Sequence, residues 1–390
     1  MKILITTDLY TVKTNGVVTS LKNLREELLS RGHEVRVLTF SEGLKSHVDK
    51  EEDVYYIKSV PIGFIYPNVR MPISYRNSLV KELIQWKPDI IHSQCEFFSY
   101  QFAKRIAKLT GAPLIHTYHT MYEDYVGYVV PYERFGKYVV RKFSKLRLRR
   151  ADRVIAPTTK VEKTLRGYGL KNEIDVVPSG VSLKQHNYTM TPEERAEKRR
   201  ALRIPEDHHV VLNLGRLGTE KNLDELVEYF ASVLKLHNKL TFLIVGDGPA
   251  KKNLEDLVTN LGVRDHVVFT GMVPPTEVQM YYQLADLFVS ASTSETQGLT
   301  YIEAAANGLP LLCRKDECLC DIIVDGENGY QYTTVEEFQN ELNSIIENSE
   351  WRTQAGKKSK EIAETFDKSH FGDTMEDIYE EANSSHLKQI

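Results

Sequence analysis

Two α/β domains in tandem, each a doubly wound parallel sheet, with the pair facing a cleft, is the fold this chain predicts. Three observations carry that expectation. Apolar runs of strand length alternate with amphipathic stretches of helical period. The alternation breaks at the charged segment 189–207, which has a proline near each end, and then restarts. The chain has 390 residues, more than one hydrophobic core normally organises.

The elements follow in order. "KILITT" reads as a buried first strand, not as a secretion signal. "DLYTVKTNGV" (8–17) is a loop turning at Asn15-Gly16, and "VTSLKNLREELLS" is a helix closed by Arg31-Gly32. "HEVRVLTF" is the next strand, which completes a βαβ unit. "DIIHS" and "PLIHTYH" flank a helix near 98–109, and "DRVIAPT" and "IDVVPSG" flank another near 159–167. Past the linker, strand, glycine turn, helix and strand recur in 209–249. "HVVFTG", "ADLFVSAS" and "LPLLCR" add buried strands, and the chain ends in helices near 335–347, 351–365 and 368–384. The expected domains are residues 1–185 and 186–367, with the segment near 368–390 packing back on the first.

Composition narrows the function classes. A hydrophobic content of 41% supplies real cores, and a net charge of −4 gives no overall preference for nucleic acid. No window approaches the roughly 20 apolar residues needed to span a bilayer, so membrane contact is expected to be peripheral. Cys95, Cys313, Cys318 and Cys320 form no paired framework, which suits a reducing cytoplasm. Two thiols at 318 and 320 are too few for zinc, so no metal site is expected.

In such sheets ligands bind beyond the carboxyl ends of strands. In "ASTSETQGLTYIEAAAN", Gly298 opens a helix whose first amides, at Gly298, Leu299 and Thr300, suit an anion such as phosphate. Glu295 precedes that helix and Glu303 falls in its second turn, so both carboxylates can flank one ligand. The alternative is plain: Glu303 complements the helix dipole and Glu295 is solvated. In "NLGRLGTEKN", Arg216 follows a strand and Gly215, and Lys221 lies just before a helix. Two cations at a helix start are unfavourable unless an anion joins them, and a diphosphate fits. The alternative is two surface cations.

The ordered set "GRL", "EKN", "VGDGP", "FTGMVP" and "ETQGLTYIE" resembles the donor half of the retaining family-4 glycosyltransferases, over essentially the whole chain. That resemblance implies the GT-B arrangement of two Rossmann-like domains. It implies that Glu295 contacts the donor sugar, that Glu303 binds the ribose, and that Arg216 and Lys221 hold the diphosphate. It places the base near Val273 and the first glycine loop, with Gly16, near the phosphates or sugar. Here the chain departs from the family pattern, carrying Val12-Lys13 and Val17 where a proline and a second glycine are common. His119 matches the family histidine near the sugar hydroxyls, and strand alternation sets His116 and His119 on opposite sides. No cofactor is required beyond the donor, and a divalent metal at most stimulates.

Residues 134–153 hold nine Lys/Arg and one acidic residue, with Phe135, Tyr138, Val139, Phe143 and Leu146 on one helical face. Lys137, Arg141, Lys142, Lys145 and Arg149 are the candidate contacts to an anionic membrane surface. A solvated helix packed on the sheet is the alternative, and nucleic acid is discounted. "HTYHTMYEDYVGY" with this helix resembles the bacterial diacylglycerol glucosyltransferases. The expectation is then a peripheral enzyme on the inner face of the cell membrane that moves glucose from UDP-glucose to diacylglycerol. Tyr122 and Tyr125, with Tyr128, are placed at the acceptor entrance. Extension of a soluble or protein-linked glycan, galactosyl transfer to a glycolipid, and a non-catalytic binding subunit remain as alternatives.

Overall fold

A computed structural model of the chain describes residues 1–10, 16–43, 45–62, 70–128, 132–186 and 189–387, with the backbone alone at 127–128, 185–186 and 387. It divides into two compact units, Met1–Gly180 with Lys368–Ile390, and Val181–Asp367.

The first unit runs β1 (Lys2–Thr6), α1 (Gly16–Ser30), β2 (Glu34–Phe40), β3 (His47–Asp49), β4 (Val54–Ile57), β5 (Ser59–Pro61), β6 (Arg70–Pro72), α2 (Ser78–Trp86), β7 (Ile90–Ser93), α3 (Phe98–Thr110), β8 (Leu114–Thr117), α4 (Glu133–Leu148), β9 (Arg153–Ala156), α5 (Thr159–Gly167) and β10 (Glu173–Val176). Its main sheet has the order β10-β9-β8-β7-β1-β2-β4-β3, parallel except for β3. Because strand side chains alternate, Ile3 and Ile5 enter one core while Leu4 enters the core on the opposite face. Both faces are covered, so every central strand reads as a continuous apolar run.

The second unit runs α6 (Pro192–Ala201), β11 (His209–Leu214), α7 (Leu223–Leu234), β12 (Leu240–Val245), α8 (Lys251–Asn260), β13 (Val267–Gly271), α9 (Val278–Leu284), β14 (Leu287–Ser290), α10 (Leu299–Ala306), β15 (Leu311–Arg314), β16 (Gly329–Tyr332), α11 (Val335–Glu347) and α12 (Ser349–Glu364). Its sheet is wholly parallel in the order β13-β12-β11-β14-β15-β16. The strand order reverses between β11 and β14 here, and between β1 and β7 in the first unit. Such reversals open a crevice at the strand ends, where ligands bind in doubly wound sheets.

The last helix, α13 (Lys368–Leu387), belongs to the first unit. Phe371, Met375, Ile378, Tyr379 and Ala382 share one face at helical spacing and join the core containing Ile3 and Val35. Ion pairs border that seam, Lys368 with Glu26 (2.5 Å), Arg31 with Asp373 (2.7 Å) and Arg153 with Glu381 (2.7 Å), and His33 Nε2 lies 2.8 Å from Glu376 Oε1.

Candidate active site

In the second unit the predicted donor residues gather at the β11/β14 reversal. Gly215 and Arg216 follow β11, and Ser294 and Glu295 lie on the loop after β14. Three polar contacts tie these loops together. Lys221 Nζ meets Glu295 Oε1 at 2.6 Å, Ser294 Oγ donates to the Glu220 carbonyl at 3.2 Å, and Asn222 Nδ2 donates to the Ala291 carbonyl at 3.2 Å. Arg216 pairs with Glu220. The surface-cation alternative, with both side chains solvated, is not what these contacts show. Each cation faces a carboxylate, Arg216 that of Glu220 and Lys221 that of Glu295.

The floor beside these loops is made of backbone. Gly246 follows β12 with φ 136°, and its N–H donates to the Gly271 carbonyl at 3.0 Å. A Cβ on Gly246 would lie 1.9 Å from the Gly215 carbonyl oxygen, so only glycine permits this approach. The Val273 side chain points into the core, so a ligand nearby would meet its main chain.

Gly298 caps α10 with φ 78°, and a Cβ there would meet the buried Tyr301 ring at 2.1 Å. Leu299 packs partly against the core, and the Thr300 carbonyl accepts from the Tyr282 hydroxyl at 3.3 Å. The same hydroxyl donates to Glu303 Oε2 at 2.8 Å. Burial pushes the Glu303 carboxyl up to about 7, and the Tyr282 bond offsets part of that rise. Glu295 is thus turned toward the loop after β11 and Glu303 toward α9.

In the first unit, polar side chains cluster at the β1/β7 reversal. Asp8 accepts from Phe98 N, Ser99 N and Ser99 Oγ at 3.1, 3.1 and 3.0 Å. It thereby caps α3 from a distant loop, since Phe97 at the cap position makes no side-chain bond. Burial pushes Asp8 up to about 6.

His116 on β8 is fully buried and its Nε2 lies 3.1 Å from Glu96 Oε1. His119 lies past the end of β8, and its Nε2 is 2.6 Å from Gln94 Oε1. The strand-alternation expectation for this pair is corrected: β8 stops at Thr117, and both rings reach the turn between β7 and α3. Burial, helped by nearby His116, lowers His119 to about 3, so its imidazole is neutral. Tyr122 OH donates to the other oxygen of Glu96 at 2.5 Å, and its ring packs edge-on against Phe97. Tyr125 is half-buried on the same 3₁₀ segment, Tyr122–Tyr128.

Gln94 and Glu96 went unnoticed in the sequence. The available signal was their place in "SQCEFF", directly after a buried strand. Gly16 is exposed at the start of α1. Val12, Lys13 and Asn15 of the first glycine loop, and the Tyr128 side chain, lie outside the described residues.

Helix α4 turns Gly136, Ser144 and Leu148 inward. Phe135, Tyr138, Val139 and Leu146 are 62%, 56%, 46% and 53% exposed, an apolar strip with Lys142 along it. Phe143 departs from the expected face and stacks on Phe97 with centroids 5.7 Å apart. Lys137 pairs with Glu133, Arg141 pairs with Glu123, and Lys145 and Arg149 are exposed. No helix among the described residues is long and apolar enough to cross a membrane.

Residues 14–185 match the family described as Glycosyltransferase Family 4, and residues 194–362 match Glycosyl transferases group 1. The chain is 37% identical over 339 residues to an alpha-monoglucosyldiacylglycerol synthase of Streptococcus pneumoniae, covering 85% of this chain and 75% of that one. The chain belongs to glycosyltransferase family 4. This enzyme is also 31% identical to an alpha-monoglucosyldiacylglycerol synthase of Acholeplasma laidlawii, over 97% of this chain and 96% of that one. In fold it is similar to sucrose-phosphate synthase of Thermosynechococcus elongatus, with a TM-score of 0.78 at 21% identity, covering 98% of this chain and 99% of that one. Anabaena HepE in complex with UDP gives a TM-score of 0.76 at 19% identity, covering 98% and 100%. The enzyme is a hexosyltransferase with the GT-B fold.

Proposed function

We propose that the enzyme transfers glucose from UDP-glucose to the hydroxyl of diacylglycerol at an anionic membrane surface, with retention at the anomeric carbon. The observation that supports this most is the contact between Lys221 and Glu295 at the β11/β14 reversal. It sets a cation for phosphate beside a carboxylate for sugar hydroxyls, next to the open amides of α10. The named activity of the two synthases supports the choice of glucose and diacylglycerol.

In this reading Arg216, Lys221 and the α10 terminus stabilise the negative charge that grows on the departing diphosphate. Glu295 accepts hydrogen bonds from the sugar, Glu303 from the ribose, and the main chain near Val273 meets the base. Gly215, Gly16 and Gly298 let backbone approach the ligand. The acceptor oxygen bonds to the anomeric carbon while the bond from that carbon to the diphosphate breaks. The bonding pair leaves with UDP, and the acceptor proton passes to a phosphate oxygen on the same face. His119 accepts a hydrogen bond from a sugar hydroxyl. Tyr122 and Tyr125 border the acceptor, and α4 with Lys137, Arg141, Lys142, Lys145 and Arg149 rests on the inner face of the cell membrane. The donor's charge is met by side chains, so no resident cofactor is invoked, and added divalent metal would at most stimulate.

A donor-by-acceptor assay tests this. UDP-glucose and UDP-galactose are each offered diacylglycerol in anionic vesicles, or soluble glycans, with products read by mass spectrometry and anomeric NMR. The expected product is α-glucosyl diacylglycerol, formed only with vesicles. Transfer to a soluble glycan, indifferent to vesicles, would replace the lipid reading.

A further inference from the structure

We propose that Gln94 is a positioning residue that fixes His119 as the Nε2–H tautomer, so that Nδ1 is the ring nitrogen that accepts from the donor sugar. The proposal rests on the reading of His119 at the reacting centre, and the tests below separate the two.

Gln94 sits directly beyond β7 at the β1/β7 reversal and is 2% exposed. Its backbone N–H donates to the Thr6 carbonyl at 2.8 Å, which locks the residue to β1. The side chain bridges two histidines. Its Oε1 is 2.6 Å from His119 Nε2, and its Nε2 is 3.2 Å from His92 Nε2. His92 is fully buried, with Nε2 also 2.7 Å from Thr117 Oγ1 and Nδ1 2.6 Å from the hydroxyl of Tyr379 on α13. A continuous chain therefore runs from the last helix through His92 and Gln94 to His119.

Such a chain has two self-consistent directions, set by which way the amide faces. In the first, His119 Nε2–H donates to the amide oxygen and the amide nitrogen donates to His92. In the second, every donor and acceptor between Tyr379 and His119 is exchanged, and a nitrogen of the amide faces His119 Nε2. The distances choose between them. At 2.6 Å the contact to His119 is at the short limit for N–H···O and shorter still for two nitrogens, while 3.2 Å to His92 accommodates N–H···N. Thr117 and the amide nitrogen then share the single lone pair of His92 Nε2, Thr117 at the shorter distance, and His92 Nδ1–H donates to Tyr379. Burial holds both His92 and His119 well below the ordinary histidine value, so neither donates from both nitrogens as a cation. His116, the nearest other titratable ring, is engaged by Glu96 and does not enter the chain. With Nε2–H committed to Gln94, the acceptor capacity of His119 resides on Nδ1.

The tautomer is read directly in the full-length enzyme labelled with ¹⁵N-histidine, by two-bond proton–nitrogen correlation near neutral pH. His119 is assigned by the signals that vanish in His119→Asn. The expected pattern has the proton on Nε2; a proton on Nδ1, or on both nitrogens, overturns the proposal. In kinetics, Gln94→Leu removes the amide while Thr117 still satisfies His92. It is expected to lower kcat/KM for the sugar nucleotide at least about tenfold while leaving affinity for UDP alone unchanged. Gln94→Glu keeps the acceptor and is expected to recover activity at alkaline pH, losing it as His119 becomes protonated. An equal loss of UDP affinity in Gln94→Leu would mean a merely structural role and sink the proposal. Unchanged turnover in His119→Ala, with the tautomer as expected, would instead overturn the placement of His119 at the sugar.

Discussion

Lys221 Nζ lies 2.6 Å from Glu295 Oε1, and this contact bridges the loops that follow β11 and β14. Both side chains are about one-fifth exposed, at 20% and 19%. The pair therefore ties the loops after β11 and β14 together and keeps a cation and a carboxylate at one point of the crevice. Lys221→Met is expected to cost transfer about a hundredfold, or about 2.7 kcal/mol of transition-state stabilisation. The stability cost is about 1 kcal/mol, so melting shifts by only about 2–4 °C. Combining it with Glu295→Gln should cost much less than the sum of the single losses, because both act on one ligand. Steady-state kinetics beside thermal melts check this, and additive losses would dissociate the two roles.

With Glu303 at the ribose, as proposed, donor binding depends on pH. Its carboxyl is raised to about 7 by burial, against the lowering contribution of Tyr282. Ribose hydroxyls donate to the ionised form, so below pH 7 binding must first expel a proton. Affinity for UDP-glucose, whose diphosphate carries no proton in this range, is expected to rise about tenfold per pH unit up to about 7 and then level off. Without ligand the sign reverses for folding. A carboxyl raised in the folded state contributes stability that is present below the unfolded value and lost as pH rises through 7. Titration calorimetry across that window should show proton uptake by buffer on binding, and Glu303→Gln should flatten the profile. A flat wild-type profile would remove Glu303 from the ribose.

Gly298 and Gly308 bracket the same helix with nearly equal φ, 78° and 77°. Their surroundings differ. A Cβ at 298 would strike the buried Tyr301 ring, whose hydroxyl bonds Ser290 at 2.8 Å and cannot swing away. At 308 the nearest atom, 2.8 Å off, is the end of the flexible Lys360 chain. Both alanine substitutions incur the left-handed backbone cost of about 1–2 kcal/mol. Gly298→Ala adds overpacking and should cost at least about 1 kcal/mol more than Gly308→Ala in urea unfolding. It should also weaken UDP binding, while Gly308→Ala should not.

The strands buried on both faces were legible because burial forces an unbroken apolar run, as in "LTFLIV" and "DIIHS". Strands β3, β5 and β6 were not, since three residues of mixed polarity carry no period, and the apolar β4, "VYYI", is too short to show one. The short β16, "GYQY", escaped notice for the same reason. In the second unit the candidate residues drew notice as cations, glycines and a spaced pair of glutamates, Glu295 and Glu303, beside helix starts. What stayed hidden were their partners. Glu220 answers Arg216, and Tyr282 answers Glu303 from another helix. Glu96 and Gln94 bond rings 20 and 25 residues away, and only the folded sheet brings those strand ends together. Phe143 was misplaced because spacing defines a face but not which side of it meets Phe97.

Helix α4 carries two apolar faces with different duties, and substitutions should separate them. Phe135 and Leu146 are exposed and touch the proposed membrane face, whereas Phe143 stacks on Phe97. Phe135→Ser with Leu146→Ser should leave melting and UDP-glucose affinity unchanged but reduce binding to anionic vesicles at least about tenfold, given about 25 cal/mol per Å² of apolar surface. Phe143→Ser should instead lower the melting midpoint, because it opens a cavity against Phe97. Replacing Lys142, Lys145 and Arg149 by Gln should cost about 1 kcal/mol per charge near the surface, and that cost should shrink as salt rises. Cosedimentation with vesicles of graded anionic content reads all three. Vesicle binding that ignores both the apolar pair and the cations would show that α4 does not meet the bilayer, and the lipid-acceptor reading would lose its route to substrate.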